Sequence, residues 1–259
     1  MCKDLFDKRI GIIGAGNIGL SVALKLLEKG FSRDNLSLSY NASIFTFERL
    51  YDNDLVDCIS SNSRIVDECD VILLCVPPQR FKEIGDFGLD DSKLVVSFMA
   101  AISIDDIISQ CGTSNVVRVI PTGPDSIRDS RAVAACYPSC DLSDELFGVL
   151  DFDCYTFDCE DDLDYMVIAG CLPAVFCVAD PSVSDNRDDI CRFGRDFPVF
   201  VEIASKCEDL VPRESGDDFV SSVATGGGVT EAILSGLDSG KSLYESLCDG
   251  LERNEELSK

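Results

Sequence analysis

Gly14, Gly16 and Gly19, in the run Ile10-Gly11-Ile12-Ile13-Gly14-Ala15-Gly16-Asn17-Ile18-Gly19, have the spacing that lets backbone amides cradle a phosphate. The first glycine permits a tight turn, the second lets a pyrophosphate approach the main chain, and the third lets a helix pack on a strand. Free N–H groups at a helix start also lie at the positive end of the helix dipole. A second seat of this kind stands near the other end of the chain, where Gly226, Gly227 and Gly228 precede Val229, Thr230, Glu231 and a helical pattern. Two such seats suggest a nucleotide at one and a small acid at the other.

The 259-residue chain has no histidine. That removes imidazole as acid, base, nucleophile or ligand. Lysine and arginine number 22 against 47 acidic residues, a net charge of −25, which repels nucleic-acid phosphates and anionic lipid; neither nucleic acid nor membrane is an expected partner. No apolar run reaches the roughly 18–20 residues of a membrane span, and the polar start Met1-Cys2-Lys3-Asp4 does not read as a signal peptide. A soluble, cytoplasmic protein is expected. The 14 cysteines are scattered through apolar runs such as Leu74-Cys75-Val76 with no CxxC pair. Most read as buried small hydrophobes in a reducing compartment, and without histidine to complete a mixed site no metal is expected. The acidic residues between Asp151 and Asp164 read as a solvated face.

The elements that must position the two seats follow from apolar patterning. Short apolar runs alternate with amphipathic stretches from residue 8 to about 158, the pattern of a doubly wound parallel sheet with helices between its strands, a Rossmann-type α/β architecture. Strands are expected over Lys8–Gly14, Leu36–Tyr40, Val71–Val76, Leu94–Phe98, Val116–Ile120 and Cys154–Phe157. Helices are expected over Gly16–Lys29, capped by Gly30, and near Ile104–Gln110 and Leu142–Leu150. Beyond residue 159 the strand signals fade and apolar residues fall at helical spacing. We therefore divide the chain into a dinucleotide-binding domain, 1–158, and an all-helical domain, 159–259. In the latter, Leu243, Leu247 and Leu251 follow Ser242 with Glu245 three places on, the capping-box signature. A helical domain this small often completes its core against a second copy, so a homodimer is expected.

Ligands of open α/β sheets lie at the carboxyl ends of the strands. Those ends are Val76-Pro77-Pro78-Gln79, Ser97-Phe98-Met99-Ala100-Ala101 and Pro121-Thr122-Gly123-Pro124, small and nearly uncharged, suited to a nicotinamide ring. After the second strand, Leu38-Ser39-Tyr40-Asn41-Ala42-Ser43 offers neither the carboxylate that holds the ribose of NAD nor an arginine for the phosphate of NADP. Its hydroxyls and amide leave room for a phosphate, and the choice leans to NADPH over NADH.

In their order, Ile10 to Gly19, Val76 to Gln79, Val96 to Ile104, Val116 to Pro124, Ala169 to Phe176 and Val223 to Lys259 give a sequence that resembles pyrroline-5-carboxylate reductase over nearly its whole length. The tail, Gly227-Gly228-Val229-Thr230-Glu231-Ala232 followed by Leu237-Asp238-Ser239-Gly240, carries the resemblance furthest. The resemblance implies an N-terminal domain that binds NAD(P)H through Gly14, Gly16, Asn17, Ile18, Gly19, Ser39, Asn41, Val76, Pro77, Gln79 and Ala100. It also implies a C-terminal domain that dimerises and builds the substrate site. There Thr230 matches the substrate-contacting threonine, Gly226, Gly227, Gly228 and Val229 hold a carboxylate, and Cys171 and Pro173 line the pocket. The implied reaction is hydride transfer to the C=N carbon of 1-pyrroline-5-carboxylate, giving proline. The missing histidine agrees with it, because a cyclic imine can enter already protonated and needs positioning more than an acid. This chain departs from the family's pattern at Pro77, Thr122, Leu172, Gly226 and Val229.

Two other readings compete. Thr230 in a first helical turn could simply cap it, and the chain could be a nucleotide-binding sensor or assembly partner without turnover. A 3-hydroxy acid dehydrogenase would need a lysine at a spacing after Gly170 that this chain lacks.

Overall fold

The computed structural model describes residues 5–212, 216–224 and 226–257. Seven strands form one sheet, in the order β2-β1-β3-β4-β5-β6-β7: β1 Ile10–Ile13, β2 Leu36–Ser39, β3 Val71–Leu74, β4 Leu94–Ser97, β5 Val116–Pro121, β6 Val133–Tyr137 and β7 Asp153–Thr156. The strands β1, β3 and β4 are buried along their whole length. That burial explains why their sequences run apolar without alternation. The helices between them are α1 Asn17–Glu28, α2 Ile44–Asp52, α3 Asn62–Glu68, α4 Ile104–Cys111, α5 Pro124–Arg128 and α6 Asp141–Val149.

The expected doubly wound, mostly parallel sheet is present, with one departure. Strand β6, which the patterning does not mark, runs antiparallel to β5. Only the five-residue α5 lies between them, too short a crossover to bring a strand back in the same direction. The run Val133-Ala134-Ala135-Cys136-Tyr137 is also poor in β-branched residues, so its sequence carries little strand signal. Pairing of β7 with β6 is parallel again.

After β7 the chain is helical: α7 Leu163–Val175, α8 Ser184–Phe193, α9 Val199–Glu208, α10 Gly216–Val223, α11 Val229–Asp238 and α12 Leu243–Leu257. Helix α7 is the hub. It packs on β5 and β6 and on α9, α10, α11 and α12, and apolar residues on all its faces are buried, as expected of a helix surrounded by protein. Ile120, Val133 and Ala135 of the sheet share one core with Leu163, Phe200, Ile233 and Leu247 of the helices. The expected capping box at Ser242 is present. Ser242 Oγ accepts from Glu245 N at 3.2 Å, and Glu245 Oε2 accepts from Ser242 N at 2.9 Å.

The acidic run leading into α7 is not wholly solvated. Glu160 Oε1 accepts from Arg118 Nη1 at 2.6 Å and from the backbone amide of Ile104 at 2.8 Å. Asp164 Oδ1 accepts from Asn254 Nδ2 of α12 at 2.8 Å, and burial raises its carboxyl above the usual range, with Arg118 and Asn254 opposing. Among the described residues all cysteines are free thiols. No helix of the described residues is long and apolar enough to cross a membrane.

Candidate active site

The glycine turn joins β1 to α1 under tight steric control. Gly14 has φ +103°, and a Cβ there would lie 2.7 Å from Cys75 O. A Cβ on Gly19 would lie 2.2 Å from Gly14 O, whereas one on Gly16 would meet nothing within 4 Å. Two glycines thus let backbone meet backbone, and the third faces open space where a phosphate fits. Gly14 N and Ala15 N donate to Ser39 O at 3.1 and 2.8 Å, which ties the turn to the end of β2. The amides that open α1 have no acceptor of their own within the helix.

A cleft of about 430 Å³ lies over this turn. Gly14 and Gly16 line it with Ser39, Asn41, Val76 and Pro77, all of which the sequence had placed at a cofactor. The structure adds Tyr40, Ser43, Thr46, Asn62, Arg80 and Glu83. Ser43 caps α2 by accepting from Thr46 N, and Asn62 Oδ1 accepts from Ser39 Oγ at 2.6 Å. Gln79 is exposed and lies outside this lining, whose arginine is its neighbour Arg80. Gly19 is buried behind the turn. The glycine pattern could not show the α2 side of the cleft, because those residues come together only through the β2–α2 turn. Arg49 of α2 reaches the glycine turn directly, with Nη1 2.6 Å from Asn17 Oδ1.

A second cleft, of about 310 Å³, opens on the far side of the same turn, between the strand ends and the helical segment. Asn17, Ile18, Ala100 and Thr230 line it, as do Thr122, Val167 and Gly170. Cys171 and Pro173 do not. Cys171 is buried beneath Thr230, whose Oγ1 donates to its Sγ at 3.2 Å, and burial pushes that thiol up to about 11. Pro173 lines a recess of about 40 Å³ next door.

The triple-glycine seat is also arranged differently from the simplest reading. Gly226 and Gly227 are exposed, and none of Gly226, Gly227, Gly228 or Val229 lines the second cleft. Gly227 N donates to Glu231 Oε2 at 2.5 Å, and Gly227 O accepts from Arg253 Nε of α12 at 2.8 Å. The seat therefore already holds a carboxylate belonging to the chain. The amides of Gly228, Val229 and Thr230 open α11, whose first intrahelical bond runs from Ala232 N to Gly228 O. No group of three or more metal-ligating side chains comes together among the described residues.

Comparison with known proteins agrees with this geometry. Residues 9–101 match the family model described as NADP oxidoreductase coenzyme F420-dependent. Pyrroline-5-carboxylate reductase of Arabidopsis thaliana is 26% identical over 128 residues, 48% of this chain and 46% of that one. The reductase of Methanobrevibacter smithii is 21% identical over 251 residues, 91% of this chain and 99% of its own. The pyrroline carboxylate reductase of Plasmodium falciparum, solved with NADP bound, superposes with a TM-score of 0.61 at 15% identity, covering 98% of this chain and 99% of that one. The chain is thus similar, at low identity, to pyrroline-5-carboxylate reductases. Its match spans about half the length of the plant reductase. The structural likeness to the Plasmodium falciparum reductase is one of fold.

Proposed function

We propose that the chain reduces the C=N bond of a cyclic imino acid with NADPH, with 1-pyrroline-5-carboxylate going to L-proline as its reference reaction. The observation that carries this reading is that one turn walls both clefts: Gly14 and Gly16 face the first, and Asn17 and Ile18 face the second. A dinucleotide anchored by its phosphates at that turn would keep its adenosine end on the β2 side, and its nicotinamide end would lie toward Thr230. When bound, the reduced nicotinamide supplies a hydride.

The residues supply position and exclusion of water. The amides that open α1 bind the pyrophosphate, while Ala100 and Thr122 floor the second cleft. Thr230, held by Cys171, orients the ring nitrogen or carboxylate of the substrate. A protonated imine needs no enzymic acid, consistent with a chain that has no histidine. The polar groups of the first cleft, Asn41, Ser43 and Thr46 after β2 and Arg80 after β3, support NADPH over NADH. In this reading the two domains divide at 158/159, and the helical domain pairs with a second copy.

The test is NADPH oxidation with 1-pyrroline-5-carboxylate as acceptor. Thr230→Ala should lower kcat by at least about tenfold, the size expected for loss of a positioning contact, while the NADPH Kd measured by fluorescence stays unchanged. Unchanged turnover would place the substrate elsewhere. Cofactor binding with no turnover by the wild type would favour the sensor reading.

A further inference from the structure

The lining of the second cleft bears on which imine it takes, and the argument rests on the proposed hydride transfer to C=N. We propose that the substrate carboxylate is dispensable, so that the site also reduces cyclic imines bearing an apolar substituent in its place. The walls are apolar: Ile18, Phe98, Ile120, Val167, Phe219 and Val223. Asn17, Thr122 and Thr230 supply the polar side chains, and no side chain lining this cleft is charged among the described residues. All three are engaged already: Asn17 Oδ1 accepts from Arg49 Nη1 at 2.6 Å. Thr122 Oγ1 accepts from Val133 N at 3.2 Å and lies 3.0 Å from Ser126 Oγ, and Thr230 donates to Cys171.

Two described arginines adjoin the cleft without lining it: Arg49, held on Asn17 Oδ1, and Arg131, which lines the small recess beyond Thr122. Arg131 is engaged elsewhere, with Nη2 3.0 Å from Asp129 Oδ2 and Nη1 2.9 Å from Asp209 O. Among the described lining residues, a carboxylate entering the cleft would meet no side-chain cation to offset its lost hydration.

An independent observation comes from the glycine seat. Glu231 already occupies the Gly227 amide, so a substrate carboxylate on the neighbouring amides would face a like charge. A protonated imine is a cation, and both Glu231 and the net charge of −25 favour its approach. The chemistry balances without a carboxylate. The iminium carbon takes the hydride, the C=N π pair becomes the nitrogen lone pair, and the products are the cyclic amine and the oxidised nicotinamide.

The experiment compares 1-pyrroline-5-carboxylate with 2-methyl-1-pyrroline and 2-phenyl-1-pyrroline under saturating NADPH, following cofactor oxidation and the product amine by mass spectrometry. A site built around the carboxylate would reject analogues lacking it by about 10⁴-fold. Here kcat/KM for the better carboxylate-free imine should lie within about tenfold of that for the acid, or above it. Phe219→Ala should lower kcat/KM for the phenyl compound by about tenfold, the discrimination typical of an apolar pocket, without shifting the NADPH Kd. Glu231→Gln should raise kcat/KM for the acid relative to that for the other two. A preference for the acid greater than tenfold would overturn the proposal while leaving the C=N reading intact. Turnover of none of the three with NADPH bound would overturn both.

Discussion

At the scale of single residues, the positions that could be read from the sequence are those where the absence of a side chain is itself the signal. Gly14, Gly16 and Gly19 fall where backbone meets backbone or opens to a ligand, and their spacing records that need. A Gly19→Ala variant would force a Cβ against Gly14 O, at 2.2 Å. It should lose about 2 kcal/mol of stability, within the range for overpacking, and its NADPH affinity should fall with it. Urea denaturation and cofactor titration check both, and an unchanged affinity would show that the turn can relax without cost to the cofactor. By contrast, Arg80, Ser43 and Thr46 could not be found this way, because nothing in their local sequence distinguishes them from other surface polar residues. Gln79, taken from the strand-end motif, points elsewhere because the 3₁₀ turn after Pro77 rotates Arg80 into the lining instead.

At the scale of elements, strong periodicity was legible and weak or acidic segments were not. The strands β1, β3 and β4 and the helices α11 and α12 stood out because each buries a continuous apolar stripe. Helix α8, rich in aspartate, buries only Ile190 and Phe193, which is too little to leave a pattern. The loop from β7 into α7 was read as solvent-facing because charge composition says nothing about partners elsewhere in the chain. There Glu160 pairs with Arg118, whose side chain is 5% exposed. Glu160→Ala would leave that guanidinium buried and unpaired at a cost of about 3 kcal/mol, read as a lower urea midpoint. A second contact, between the turn before β4 and the start of β5, makes a pH-dependent prediction. Asp91 Oδ1 accepts from Ser114 N at 2.7 Å, Ser114 Oγ at 2.9 Å and Thr113 Oγ1 at 3.1 Å. These bonds, the Ser114 amide first, hold its carboxyl below the usual range. A depressed folded-state value means that the stabilisation is present above the unfolded pKa of about 4 and is lost as pH falls through the folded value. Asp91→Asn should therefore have a lower Tm than wild type at pH 7, with the gap closing below about pH 4. A gap that persists at low pH would assign the loss to packing.

At the scale of the whole molecule, the net charge of −25 repels itself as well as other anions. Raising KCl from about 0.01 M to about 1 M shortens the screening length from about 30 Å to about 3 Å. The Tm should then climb by about 4 °C or more, the shift that 1–2 kcal/mol gives a chain of this size. A flat Tm would mean that local ion pairs such as Lys29–Asp151 and Lys206–Asp153 already cancel the repulsion. The two clefts also differ in how much of the chain they require. Every residue lining the first has been synthesised by Ile84, but the second needs Thr230, and the glycine loop before Thr230 is held by Arg253, 26 residues beyond Gly227. On the ribosome, the dinucleotide half is therefore complete in sequence long before the half that would hold an acceptor. A chain released early would carry every residue lining the first cleft and lack Thr230 of the second.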